Sequence, residues 1–169
     1  MIVKFEARTA YNAGVDIYSE TITQTWRVPG DNENHGDLYW YEDDQLFHIE
    51  TEGQFDEYSL IFRLSPNRLV ALSDGEARIL SDLGITLAMD WIQNYFVSEQ
   101  GILFWSNTDA IWITTESSWG TGQIATDELS FSEISPNGIA RGIGWQGSDQ
   151  FAVALNLTEK KILKSAYFG

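Results

Sequence analysis

Residues 101–157 of the chain read GILFWSNTDAIWITTESSWGTGQIATDELSFSEISPNGIARGIGWQGSDQFAVALNL. Short apolar or alternating segments follow one another in this stretch, and Gly, Asn and Asp residues separate them. Strand-length segments between turn residues are typical of antiparallel β-structure. The alternation is clearest at Phe151, Val153, Leu155 and Leu157. The stretch therefore predicts a series of β-hairpins.

Several segments of the chain share one pattern, in which a group of turn residues separates two mostly apolar groups. They are LYWYEDDQLFHI (38–49), LVALSDGEARIL (69–80), ILFWSNTDAIWI (102–113) and IGWQGSDQFAVA (143–154). Asp-Gly in the second of them is the strongest short-range hairpin signal. Spacings of 31 and 33 residues between the first three are compatible with propeller blades. An antiparallel meander gives the same pattern, however, and fewer than four full blades do not close a propeller.

The predicted fold is mainly β, an antiparallel sandwich or open barrel built from hairpins, with at most one or two short helices. A chain of 169 residues is long enough for one domain with a substantial core, and we expect a single all-β domain over residues 1–169. The helix candidate is the segment 85–98, ITLAMDWIQNYFVS, whose polar and apolar residues fall on separate helical arcs. Its many β-branched and aromatic residues also suit strands. We predict a helix there.

The composition excludes several classes of protein. Hydrophobic residues make up 43% of the chain, which excludes disorder, and the absence of Cys excludes disulfides, thiol catalysis and Cys-ligated metals. The N-terminal residues MIVKFEARTAYNAG contain no apolar run of signal-peptide length, so we expect a cytoplasmic protein. No run approaches the roughly 18 apolar residues of a membrane-spanning helix.

Negative charge is the clearest global property of the chain. It carries 25 Asp and Glu against 10 Lys and Arg, a formal net charge of −15. No Lys or Arg occurs between Arg27 and Arg63, yet ten acids lie there. A field of this sign repels nucleic acids and anionic membranes and attracts basic proteins. The acids that we take as candidate binding residues are Asp31, Glu33, Asp37, Glu42, Asp43 and Asp44.

The loop within this acidic segment imitates a calcium-binding loop. Asp31, Glu33, Asp37 and Glu42 take the positions of oxygen ligands, and Gly36 takes the position of the sharp turn. The flanking segments WRVPG and LYWY look like strands, whereas the calcium motif requires helices. We therefore favour an acidic loop between strands and predict no metal and no cofactor.

The segment 142–147, GIGWQG, matches the G-x-G-x-x-G fingerprint of dinucleotide-binding proteins. That motif functions because a helix follows it and points its N-terminal amides at the pyrophosphate. The segment from Phe151 onward alternates like a strand, so the match is accidental. The glycines are better explained by crowding, a bulge or a close approach of backbones.

Catalytic signatures are scarce. His35 and His48 are the only histidines, too few for a three-histidine zinc site, and no G-x-S-x-G elbow is present. We interpret His48 as a residue on a strand surface, opposite in orientation to Phe47 and Ile49. Acidic pairs such as Asp43-Asp44 are a weak indication of a glycosidase, whose two carboxyls must face each other about 5–10 Å apart in a cleft.

The chain contains seven Trp residues, and most of them are expected to fill the core. An exposed Trp would instead serve as a platform for a sugar ring or as an anchor for a partner protein. Trp119 lies between Ser117-Ser118 and Gly120-Thr121-Gly122, which offer little local cover. We predict that Trp119 is exposed and add it to the candidate binding residues.

The chain from Ile102 to Gly169 resembles the C-terminal part of a loose group of uncharacterised bacterial all-β proteins. The resemblance rests on Trp119, on the I-x-G-x-G-W pattern over 139–145 and on the alternating strand over 151–157. This chain has Asp127-Glu128 where the group has an Asp-Gly turn. The resemblance implies an all-β domain and transfers no site residue.

Three functional hypotheses follow. The first is a non-catalytic, cytoplasmic protein of the immunity or scaffold type that docks a basic protein partner, for example a toxin, through an acidic face. The second is a carbohydrate-binding β-sandwich that uses exposed Trp. The third is a hydrolase with an acidic dyad.

Overall fold

The computed structural model describes residues 1–28, 35–52 and 58–167. The elements up to residue 89 are β1 (Val3–Arg8), α1 (Ala10–Ala13), β2 (Ile22–Val28), β3 (His35–Glu42), β4 (Gln45–Glu52), β5 (Tyr58–Ser65), β6 (Arg68–Ser73), β7 (Glu76–Ser81) and β8 (Gly84–Met89). The remaining elements are β9 (Asn94–Val97), β10 (Gly101–Trp105), β11 (Asp109–Thr114), β12 (Ser118–Gln123), β13 (Glu128–Ile134), β14 (Ile139–Gln146), β15 (Asp149–Asn156) and β16 (Lys161–Tyr167).

The described part of the chain is therefore mostly strand, as predicted, and its one helix has four residues. Thr9 caps the start of α1 through its side chain, and Gly14 ends the helix in the left-handed conformation. A helix of this length is far too short to span a membrane.

The chain forms two compact units, Ile2–Ala88 and Met89–Gly169 with Met1. The first unit is one curled eight-stranded sheet in the order β2-β4-β3-β1-β5-β6-β7-β8. Its pairs are antiparallel except for β2 and β4, which are parallel. The parallel pair was not predicted from the sequence. Strands β2 and β3 follow each other in the chain, but β4 lies between them in the sheet.

The core of the first unit is rich in stacked aromatic rings. Trp26 stacks on Trp40 with 6.0 Å between ring centroids, and Trp40 stacks on Phe47 at 5.6 Å. These three side chains are at most 7% exposed. One continuous core cluster runs from Trp26 on β2 to Leu80 on β7, with Ile85 of β8 packed against it. Because the sheet is curled, strands from both of its halves contribute to this single core.

The second unit is a sandwich of two four-stranded meanders, β9 to β12 and β13 to β16. Residues from both sheets form one core cluster, in which Trp105 of β10 meets Phe131 of β13 edge to face with 5.3 Å between centroids. Phe151, Val153, Leu155 and Leu157 all belong to this core. The alternating segment that ends the stretch 101–157 is thus the inner face of β15, as its pattern predicts.

All four segments of the shared pattern are hairpins, as predicted. In the turn between β6 and β7, Asp74 and Gly75 have φ angles of 49° and 70°. Two consecutive left-handed residues are the signature of a type I′ turn, which explains the Asp-Gly sequence. The last strand of the described chain, β16, pairs with β15.

The predicted helix over 85–98 is wrong. Residues 84–89 form β8 at the edge of the first sheet, and residues 94–97 form β9, which pairs with β10. The β-branched and aromatic residues of this segment follow their strand preference once neighbouring strands are available. The connection between the two strands contains Trp91, whose φ of 56° is left-handed.

The glycines of the segment 142–147 allow close packing, as predicted, and the strand β15 follows them. A Cβ on Gly144 would lie 2.4 Å from the ring of Phe151, and Gly147 has a φ of 63° in the turn after β14. The dinucleotide motif is therefore accidental, because the helix that it requires is replaced by a strand.

Gly142→Ala is expected to lower the free energy of unfolding by about 1–3 kcal/mol. The new Cβ would lie 2.2 Å from the carbonyl oxygen of Ser130 and 2.9 Å from the Cα of Phe131, which are backbone atoms of the paired strand. Gly120→Ala is the control, since nothing lies within 4 Å of its added Cβ. Denaturant titration followed by Trp fluorescence measures both, and equal stability of the two variants would contradict the packing assignment.

Candidate functional site

The predicted acidic binding residues divide into three groups. Asp31 and Glu33, and with them most of the calcium-like loop, lie outside the described residues. Asp37 and Glu42 lie on β3 and have partners within the first unit. Asp43 and Asp44 form the exposed turn between β3 and β4.

Glu42 is a structural residue of the first unit. Its carboxylate accepts two hydrogen bonds from the guanidinium of Arg63, one of them 2.9 Å from Nε to Oε1, and a third at 3.1 Å from the indole nitrogen of Trp40. The side chains of Arg63 and Glu42 are only 16% and 13% exposed. The guanidinium also lies 5.1 Å from the ring centre of Phe47. The carboxylate of Glu42 is therefore occupied by contacts within the fold and is not available to dock a partner.

Asp37 belongs to a hydrogen-bonded chain across three strands. Nε2 of His48 lies 2.8 Å from Oδ1 of Asp37, and Nδ1 of His48 lies 3.1 Å from the hydroxyl of Thr25. The ring of Tyr39 stacks on the imidazole with 4.6 Å between centroids. Burial raises the pKa of Tyr39, and the nearby carboxylates of Asp37 and Glu50 raise it further. The surroundings of His48 are thus negative.

The Thr25–His48–Asp37 chain has the connectivity of a hydroxyl, a base and a carboxylate in a nucleophilic triad. Such a triad also needs donors for an oxyanion and a pocket that holds the substrate. Thr25 is exposed on β2, the edge strand of the sheet, and the polar cleft of this unit is lined by its neighbours Thr23 and Gln24. His48 lies on the face of β4 opposite to Phe47 and Ile49, as predicted. It is buried and not a surface residue, because it is only 8% exposed and the ring of Tyr39 stacks on its imidazole.

Asp43 and Asp44 are the predicted site residues that the structure leaves available. Both are exposed, and Asp43 adopts a left-handed φ of 53°. Across the described ranges, no Lys or Arg forms an ion pair with either carboxylate. Asp43 also borders a cleft of about 360 Å³ that Thr23, Gln24, Gln45 and Arg63 help to line. This turn presents uncompensated negative charge to solvent.

Trp119 is not exposed as predicted. It lies on β12, directly opposite Trp112 of β11, and packs half-buried against the core of the sandwich. The small residues next to Trp119 in the chain do not leave its ring exposed, because the facing strands cover it. The exposed Trp is Trp91, 77% accessible, in the connection between β8 and β9. The signal that could have found it is the strand-like composition of 85–98, because two strands in this segment require a turn between them.

One end of the second unit is organised by the connection between its two sheets. The backbone N–H of Ile124 donates to the carbonyl of Thr108 at 2.7 Å, and the N–H of Thr126 donates to the carbonyl of Trp145 at 3.1 Å. The N–H of Gln93 donates to the carbonyl of Trp105 at 2.8 Å, which brings the residues before β9 to this same end. We call this the Trp91 end and define it by its carboxylates and its Trp: Asp90, Trp91, Asp109, Asp127, Glu128 and Asp149.

Among the carboxylates of the Trp91 end, that of Asp127 is held in place by hydrogen bonds. The hydroxyl of Thr126 and the N–H of Gly147 both donate to Asp127, and these two bonds lower the pKa of its carboxyl. Asp90, Asp127, Glu128 and Asp149 are all exposed. The Trp91 end therefore combines an exposed indole with several negative charges.

The chain matches no protein-family model, no curated protein and no solved structure. Within residues 1–28, 35–52 and 58–167, no three His, Asp or Glu side chains are grouped so that they could hold a metal ion. The function must therefore be inferred from the surfaces described above.

Glu42→Ala is expected to destabilise the protein by about 3 kcal/mol, because it leaves the guanidinium of Arg63 partly buried without its carboxylate. Asp44→Ala removes an exposed carboxylate from the adjoining turn and is expected to change stability by less than about 0.5 kcal/mol. Denaturant unfolding of both variants tests the assignment. A loss for Glu42→Ala no greater than that for Asp44→Ala would show that the ion pair does not hold the hairpin.

Asp127→Asn is expected to change stability in a pH-dependent way. The carboxyl of Asp127 has a pKa below its ordinary value of 3.8, so the ionised group stabilises the folded state above that pH. This contribution is lost as the pH falls through the lowered pKa. The wild type should thus exceed Asp127→Asn in unfolding free energy at about pH 7, and this difference should shrink as the pH falls through the lowered pKa. With Asp149→Asn as the control for loss of one charge, a difference that persists undiminished in acid would refute the prediction.

Proposed function

We propose that the protein is a non-catalytic, acidic protein of the immunity or scaffold type that binds a basic protein partner in the cytoplasm. The observation that supports this most is the distribution of charge pairs. Within the described part of the chain, six Lys and Arg residues are paired with carboxylates of the same chain. The scarce positive charge is thus largely neutralised within the fold, while exposed turns such as Asp43-Asp44 carry unpaired acids.

Charge of this kind acts on a partner in two ways. It accelerates the encounter with a basic surface, and it disfavours acidic competitors, including nucleic acids and anionic membranes. Asp43 and Asp44 are the docking residues that we propose on the first unit, whereas Glu42 and Asp37 orient the hairpin that carries them. Asp31 and Glu33 precede the same hairpin in the chain and remain part of the proposed acidic face.

Carbohydrate binding is the second candidate function, and the exposure of Trp91 favours it. A sugar ring can stack on an accessible indole while neighbouring carboxylates accept its hydroxyl hydrogens. Titration with a panel of oligosaccharides distinguishes the two functions, because a bound sugar changes the fluorescence of Trp91. A flat response in the wild type, or the same response in Trp91→Asn, removes this candidate.

The hydrolase hypothesis receives no geometric support from the cleft of the first unit. That cleft contains the carboxyls of Glu42 and Asp43. The two carboxyls of a glycosidase must both face the substrate, but the carboxylate of Glu42 is occupied by two hydrogen bonds from the guanidinium of Arg63.

The proposed function predicts a basic partner and a salt-sensitive complex. The experiment captures partners with the wild-type chain at low salt, purifies the tightest binder and measures its Kd by calorimetry. We expect a partner with net positive charge and a Kd that weakens by about tenfold or more between about 50 and about 300 mM salt.

Two charge variants serve as matched controls in that measurement. Asp43→Asn with Asp44→Asn removes two charges from the proposed docking turn, and Asp74→Asn with Asp82→Asn removes two charges from other turns of the same sheet. The first pair should weaken binding more than the second. A neutral or acidic partner, or an affinity that salt leaves unchanged, would overturn the proposed function.

A further inference from the structure

We propose that the Trp91 end is a docking surface for an arginine-bearing segment of the basic partner, with Trp91 as its aromatic anchor. This inference rests on the proposed function and deepens it, because it assigns a second surface that net charge alone does not identify.

Trp91 differs from the other tryptophans in its exposure. Trp26, Trp40, Trp105 and Trp112 are between 2% and 7% exposed, Trp119 and Trp145 are half-buried, and Trp91 is 77% exposed. A large apolar surface left in water contributes little to folding but much to binding when a partner covers it. Trp is also among the residues most enriched at the energetic centres of protein interfaces.

The charge around Trp91 selects the chemistry of the partner. Exposed carboxylates of Asp90, Asp127, Glu128 and Asp149 lie at this end of the sandwich. Lys160 and Lys161 lie at the opposite end, after β15, and Arg141 pairs with Glu133 in the half of β14 away from Trp145.

Distance prevents these bases from neutralising the Trp91 end. Strands β14 and β15 each have eight residues, so the two ends of the sheet are about 20 Å apart at about 3.3 Å per residue. Charge interactions through solvent are screened over about 8 Å at physiological salt. An approaching cation therefore meets carboxylates that no described Lys or Arg side chain of the second unit neutralises.

Arginine fits this surface better than lysine. A guanidinium group is planar and stacks on an indole ring, and its fork of N–H donors can pair with two carboxylate oxygens at once. A lysine ammonium is compact and strongly hydrated and gains less from the aromatic face. Trp91 offers the aromatic face, and the exposed carboxylates at the same end of the sandwich, Asp90 next to it in the chain among them, offer the oxygens.

The experiment maps binding on the intact, isotope-labelled chain by NMR. The probe is a short peptide of alternating Arg and Ser, compared with its Lys-Ser and Glu-Ser counterparts. We expect the Arg-Ser peptide to shift the indole N–H of Trp91 and the backbone amides of Asp127, Glu128 and Asp149. We also expect the Lys-Ser peptide to bind this end several-fold more weakly and the Glu-Ser peptide not to bind it.

Matched variants separate the anchor from the general charge. Trp91→Asn keeps a residue that tolerates the left-handed φ of 56°, and should weaken binding of the Arg-Ser peptide by about tenfold. Tyr11→Ala removes another highly exposed aromatic side chain, in the first unit, and should have no effect. Asp90→Asn, Glu128→Gln and Asp149→Asn together should weaken binding more than Asp43→Asn, Asp44→Asn and Asp74→Asn together, although both sets remove three charges.

The possible outcomes separate this inference from the proposed function. If the Arg-Ser peptide binds but shifts only the Asp43-Asp44 turn, the Trp91 end is not the docking surface and the proposed function stands. If neither basic peptide binds anywhere, both proposals fail. If the Trp91 signals instead broaden with protein concentration in the absence of peptide, a second copy of the chain covers this end and the inference is wrong.

Discussion

Arg63 lies over the ring of Phe47 and donates two hydrogen bonds to Glu42, at the end of an aromatic stack that continues through Trp40 to Trp26. A guanidinium can be buried this far only when a carboxylate and an aromatic face compensate for the water that it loses. The contact joins β5 to the hairpin of β3 and β4 and closes one end of the core of the curled sheet. The placement of the acidic turn at residues 43–44 depends on it.

Because most of the positive charge is used in such contacts, the acids of this protein fall into two classes. Glu42, Glu50 and Glu76 bind arginines and belong to the structure. Asp43 and Asp44 are exposed, as are Asp90, Asp127, Glu128 and Asp149 of the Trp91 end, and these are the acids that we propose for binding a partner. Net charge describes both classes together, so only the structure separates the acids that fold the protein from those that are available for binding.

The sequence predicts the β-architecture well, because short-range rules decide it. Hairpin turns such as Asp74-Gly75 and the alternation along 151–157 specify strands and their connections locally. The close packing at Gly142 and Gly144 was also predictable, since a G-x-G-x-x-G match without a following helix leaves crowding as the simplest explanation. The helix over 85–98 was wrong because its apolar residues satisfy the helical and the strand periodicity equally, and pairing with β10 decided between them.

The site was less predictable because it depends on contacts between distant residues. Pairing of Glu42 with Arg63 joins positions 21 residues apart, and the cover over Trp119 comes from strands that a local window does not include. Trp91 lies within the segment that was predicted as a helix, so its position in an exposed connection was missed. Exposure of single side chains is a property of the tertiary fold, and composition alone ranks the seven tryptophans equally.

The most direct test of the account is a measurement of the electrostatic potential near individual backbone amides. Cationic and anionic paramagnetic co-solutes of the same shape are added in turn, and the relaxation of assigned amide protons is compared. The account predicts that Asp127, Glu128 and Asp149 are relaxed much more strongly by the cationic probe, and that residues 159–161 at the opposite end show a much smaller difference. Equal ratios at the two ends would contradict the claim that the Trp91 end carries uncompensated negative charge.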